Sequence, residues 1–127
     1  MENKKPFIFN GQELFFSIGT YSNNRLAITC DTIEEPYSDI TINLPNAFID
    51  MINEAHLDPI VKDVGLQDAL IDANIIEKII SSDKYNMGTY DFVKFNFEKL
   101  KEYDPKGFEQ FIEDIGFEEK ICYRPKL

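Results

Sequence analysis

The stretch FIFNGQELFFSI, residues 7–18, decides the fold class. Phe7, Ile8 and Phe9 lead into Asn10-Gly11, the dipeptide best suited to the left-handed positions of a two-residue hairpin turn. The chain then returns through Glu13 to Ile18 with Leu14, Phe16 and Ile18 on one face, the period of two that a half-buried strand requires. Such a hairpin has an apolar face to cover, so the rest of the chain must add strands beside it and helices over it.

Outward from this hairpin, Gly19 to Asn24 is rich in turn formers, and Leu26, Ile28 and Cys30 then alternate with Ala27, Thr29 and Asp31. After an acidic turn over Thr32 to Pro36, Ile40, Ile42 and Leu44 alternate with Asp39, Thr41 and Asn43 and stop at Pro45, which cannot donate to a ladder. These segments predict a four-stranded antiparallel meander. Phe48, Ile52 and Ala55 fit a helical face over Asn46 to Ala55, and Asp58-Pro59 has the form of a helix start, with Ile60, Val61 and Val64 before Gly65. Gln67 to Ala73 reads as helix, ending near Asn74.

Ile75 to Ile80 and Thr89 to Phe97 read as two more strands, separated by a turn over Ser81 to Gly88. Asp104-Pro105 opens the strongest helix, with Phe108, Phe111, Ile112 and Ile115 as its apolar stripe and Gly116 as its stop. The expectation is a single α+β domain over residues 1–127: an antiparallel meander sheet of about four to six strands, two or three short helices, and a C-terminal helix on or beside the sheet. Residues 98–127 are its possible helical extension.

The chain has 127 residues, is 43% hydrophobic, and holds eleven Phe and six Tyr but no Trp, enough for one aromatic-rich core without staples. Its net charge is −10, which disfavours direct contact with nucleic-acid phosphates. The charge is concentrated: Leu26 to Val61 contains no Lys or Arg, while Asp31, Glu34, Glu35, Asp39, Asp50, Glu54 and Asp58 lie within it. A solvated surface would explain that run as well as a binding face would. No apolar run is long enough to span a bilayer, and the expected location is the cytosol, with no membrane partner. Cys30 and Cys122 are too few for a disulfide framework and are expected as buried free thiols.

Catalytic signals are thin. His56 is the only histidine and has no nucleophile context around it, and Cys30, Cys122 and His56 fall short of a four-ligand zinc site. Glu118-Glu119-Lys120 matches the Glu-x-Lys element of metal-dependent nucleases, with Asp104 as a second conceivable ligand; a solvated helix end explains the same residues. The six glycines are dispersed at turns and build no phosphate cradle. No cofactor, metal or catalytic residue is expected. Tyr21 and Tyr37 flank the meander turns, where a ring beside carboxylates can anchor an interface or simply pack on the sheet.

Tyr21-Ser-Asn-Asn-Arg-Leu-Ala-Ile28, Glu35-Pro-Tyr37, Asp39-Ile-Thr-Ile-Asn-Leu-Pro45 and Asp68-Ala-Leu-Ile-Asp-Ala-Asn-Ile-Ile76 together resemble a domain-of-unknown-function family of small proteins found on bacterial phages and mobile elements. The resemblance covers residues 6–97. It carries no catalytic residue and implies a genomic context: an accessory factor acting in the cytoplasm of a bacterial host cell. Small acidic proteins of that context present carboxylates where phosphates would bind. The leading expectation is therefore a non-catalytic inhibitor of host defence, anti-CRISPR-like, whose partner is a host protein or nucleoprotein complex with a basic surface. Its expected contact residues are Asp31, Glu34, Glu35, Tyr37, Asp39, Asp50 and Glu54. A small metal-dependent hydrolase at Glu118 and Lys120, and a self-associating structural protein, are the alternatives.

Overall fold

A computed structural model of the chain describes residues 4–44, 47, 49 and 51–116. The fold is α+β, and the described residues form two antiparallel sheets of four strands each. The first runs β1 (Phe7–Phe9), β2 (Gln12–Thr20), β3 (Leu26–Asp31) and β4 (Pro36–Asp39), neighbours in chain order. Its first turn takes the two positive φ values that Asn-Gly tolerates, 51° at Asn10 and 77° at Gly11. Phe16 pairs with Cys30 and Ile18 with Ile28, so the alternating apolar residues meet on one buried face.

The second sheet is ordered β5 (Thr41–Ile42), β6 (Glu54–Leu57), β8 (Gly88–Phe95) and β7 (Ile76–Tyr85). The stretch read as one fourth strand therefore divides at Ile40. Its N–H bonds to Ile28 O in the first sheet, its carbonyl accepts from Asp58 N at 3.0 Å, and Thr41 begins the second sheet. The Thr41 hydroxyl holds this crossing by accepting from Ile28 N at 3.0 Å and meeting the Tyr21 hydroxyl at 2.9 Å.

The helix expected over Asn46 to Ala55 is corrected where it is described. Glu54 and Ala55 belong to β6, a strand paired on both edges, with β5 on one side and β8 on the other. Full ladder pairing outweighs the weak helical spacing of Phe48, Ile52 and Ala55; Pro45, Asn46, Phe48 and Asp50 lie outside the described residues. The expected turn over Ser81 to Gly88 also shortens. Polar Ser81, Ser82 and Asp83 continue an edge strand, which tolerates them, and the chain reverses at Asn86, φ 55°.

The described residues also form four helices: α1 (Ile60–Asp63), α2 (Leu66–Asp72), α3 (Phe97–Tyr103) and α4 (Pro105–Asp114). The strand expected to reach Phe97 stops at Phe95, because the Asn96 side chain accepts from Glu98 N and Lys99 N and so caps α3. Phe97, Leu100 and Tyr103 of α3 are buried, with Tyr103 stacked edge-on against Phe7 and Phe16. Asp104 caps α4 and Pro105 fills its first turn. The helix packs on β2 through a close approach at Gly107, where a Cβ would lie 2.7 Å from Ile18 O.

Candidate partner-binding surface

The β3–β4 turn is folded by one hydroxyl. Thr32 Oγ1 accepts from Glu34 N at 3.3 Å and Glu35 N at 3.1 Å, and Thr32 N donates to Glu35 O at 2.8 Å. With the backbone satisfied locally, the Glu34 and Glu35 side chains and Ile33, 70% exposed, are left to solvent. Asp31 closes β3 at a bulge and Asp39 ends β4. Among the described residues no ion pair engages Asp31, Glu34, Glu35 or Asp39. A shallow hollow of about 330 Å³ under the turn adds Gln12 and Glu13 from β2 to its wall.

These carboxylates set the local field. Burial, then Asp31 and Asp39, push the Cys30 thiol up to about 12, against a hydrogen bond with the Ser38 backbone. Burial, then Asp39 and Asp58, likewise raise the Tyr21 hydroxyl, against its bond to Thr41. Asp58 enters this field because its backbone N–H bonds to Ile40 O, the residue after Asp39.

The other expected contact residues separate from this group. Tyr37 is half-buried against the core, Glu54 stands across from Lys94 in the second sheet, and Asp50 lies outside the described residues. Tyr21 is engaged with Thr41. Arg25 donates to Leu44 O at 2.7 Å, to Ala47 O and to Asn43 Oδ1 at 3.3 Å. The recognisable Arg25, Thr41 and Asn43 are thus consumed in holding the crossing between sheets.

A second polar site was not anticipated. Asp91, 9% exposed, lies in a cleft of about 240 Å³ whose lining includes Asp58, Lys62, Asp63, Gln67 and Ser82. Its Oδ1 accepts from Ser82 Oγ at 2.6 Å, and its Oδ2 accepts from Gln67 Nε2 at 2.9 Å and Lys62 Nζ at 3.5 Å. The Ser82 hydrogen bond, with help from Gln67 and Lys62 and against burial, holds this carboxyl below its ordinary range. The sequence did carry one signal: Asp91 shares strand parity with Val93 and Phe95, so a carboxylate occupies an apolar face.

His56 is 1% exposed, with Nε2 2.9 Å from Asp83 Oδ2 and its ring 4.6 Å from Phe92. Ser81 Oγ donates to the other oxygen of Asp83 at 2.8 Å. These two hydrogen bonds hold the Asp83 carboxyl below its ordinary range. Because the carboxylate sits between hydroxyl and imidazole, this is not the nucleophile–base order. His56 Nδ1 is buried with no hydrogen-bond partner among the described residues. Among the described residues no group of His, Cys, Asp and Glu is placed to hold a metal ion. Each oxygen of Asp104 accepts one backbone hydrogen bond, Oδ2 from Ile18 N and Oδ1 from Gly107 N, and the Glu118-x-Lys120 element, for which it was considered as a second ligand, lies outside the described residues.

Fold and surface together define an α+β domain of two antiparallel four-stranded sheets with an unpaired acidic turn at one edge. The chain belongs to the family described as Domain of unknown function (DUF4313), matched over residues 16–115. That match runs on through α3 and α4, beyond the residue 97 at which the sequence resemblance ends. No curated protein and no solved structure matches the chain. Among the described residues no helix is long and apolar enough to cross a membrane.

Proposed function

We propose that this protein is a non-catalytic binding factor of a phage or mobile element that occupies a basic, nucleic-acid-binding surface on a bacterial host protein or complex, as an anti-CRISPR-like inhibitor of host defence. The observation that carries the reading is the β3–β4 turn: exposed Ile33 is followed by Glu34 and Glu35, which form no ion pair among the described residues, in a segment bounded by Asp31 and Asp39. An exposed apolar side chain beside carboxylates suits a groove lined by Lys and Arg, with rapid, salt-sensitive association. The test is affinity capture from bacterial lysate with the wild type and a Glu34→Lys/Glu35→Lys variant, followed by competition with nucleic acid. A partner retained by the wild type, lost by the variant and displaced by nucleic acid supports the reading; a partner held equally by both removes this surface.

A self-associating role has its own observation. β7 is a ten-residue edge strand with Ile79 and Ile80 exposed, the kind of edge that templates pairing. Light scattering would show a defined oligomer that Ile80→Lys dissociates; a monomer at all concentrations removes this reading.

A further inference from the structure

We propose that the Asp91 cleft receives one arginine side chain of the partner, and that Lys62 is its internal stand-in. The inference rests on the binding role proposed above and adds the chemistry of a single contact. Asp91 is a buried carboxylate lining an open cleft, and its two shortest donors, Ser82 and Gln67, fix one hydrogen bond on each oxygen. Lys62 is the third donor, but its side chain is 68% exposed and its ammonium stops at 3.5 Å. That is well beyond the roughly 2.7–2.9 Å of a well-made charged hydrogen bond.

With Lys62 swung aside, one lone-pair site is open on each oxygen of Asp91. A guanidinium fork, with two parallel N–H donors, fits that pair of sites, and a point-like ammonium fills only one. Charge agrees: Asp58, Asp63 and Asp91 against Lys62 give 1 − 3 = −2 among the lining residues. The cleft's volume, about 240 Å³, is below the roughly 300–1,000 Å³ of sites that enclose a free small molecule, which favours a side chain presented by a larger partner. The position agrees as well. Asp58, which lines the cleft, donates its backbone N–H to Ile40 O, the residue after Asp39 at the end of β4.

The test is an NMR titration of the full chain and of Lys62→Met with N-acetyl-arginine amide, using N-acetyl-citrulline amide as the neutral isostere. Saturable shifts are expected at the Gln67 side-chain amide and the Ser82 and Asp91 backbone amides, with severalfold tighter binding in Lys62→Met and no response to citrulline. Asp91→Asn, its fold checked by circular dichroism, should abolish them. Absent shifts in both proteins, an equal citrulline response, or an unchanged affinity in Lys62→Met would each overturn the proposal. Partner capture that depends on Glu34 and Glu35 beside a silent arginine titration overturns the cleft alone. Arginine binding at the cleft beside capture indifferent to those glutamates overturns the turn alone.

Discussion

Replacing Asp104 with alanine tests how the C-terminal helices are tied to the first sheet. The carboxylate is 4% exposed and serves two elements: Oδ1 accepts from Gly107 N at 3.2 Å, capping α4, and Oδ2 accepts from Ile18 N at 2.9 Å in β2. Loss of the cap costs about 1 kcal/mol. The buried Ile18 N–H left without an acceptor costs about 1–3 kcal/mol more, giving a total of about 2–4 kcal/mol. At about 4 °C per kcal/mol for a domain of this size, Tm falls by about 8–16 °C. The chain has no Trp, so urea unfolding is best followed by far-ultraviolet circular dichroism. Asp104→Asn keeps one acceptor oxygen and should lose about half as much stability. A loss below about 1 kcal/mol for alanine at unchanged m-value would mean that water reaches Ile18 N–H, and would refute the reasoning that this carboxylate is a clamp.

Arg25→Ala should destabilise by about 2 kcal/mol, since the Leu44 and Ala47 carbonyls lose a charged donor; lysine, lacking the fork, should not restore it, and thermal melts decide. Asp91 has its folded pKa depressed below the ordinary 3.8, so its contribution is present above that value and lost as pH falls through the folded pKa. The stability gap between wild type and Asp91→Asn should therefore narrow below about pH 4, and a gap unchanged from neutral pH to pH 3 would contradict the assignment. In a Cys122→Ser protein, Cys30, buried and pushed up to about 12, should resist iodoacetamide at pH 8 while folded and react once unfolded. Equal rates in the two states, read by mass spectrometry, would show that the thiol is not shielded.

The parts of the fold legible in the sequence were those fixed by local chemistry. Asn10-Gly11 sets its hairpin through backbone conformation alone, and Asp104-Pro105 sets α4 through a cap and a fixed φ. β6 was not legible, because Glu54-Ala-His-Leu57 becomes a strand only by pairing with residues fourteen and more positions away. The division of Ile40 from Thr41 between sheets depends on Tyr21 and Asp58, which no short-range pattern connects. α3 left a faint trace in Asn96 followed by apolar residues at helical spacing, masked by the strand alternation before it. Of the candidate surface, the unpaired turn carboxylates followed from the missing Lys and Arg. The Asp91 cleft did not, because Lys62, Gln67, Ser82 and Asp91 meet only in three dimensions.

The handover at Ile40 also constrains how the domain comes apart. Ile40 bonds through its N–H to one sheet and through its carbonyl to the residue that follows β6 of the other, so neither sheet can peel away without breaking that residue's pairing. The two sheets should behave as one foldon. Amide exchange in β3 and β6 is expected to share a single opening free energy, and a protease that waits for β6 to open will find the acidic turn already unfolded.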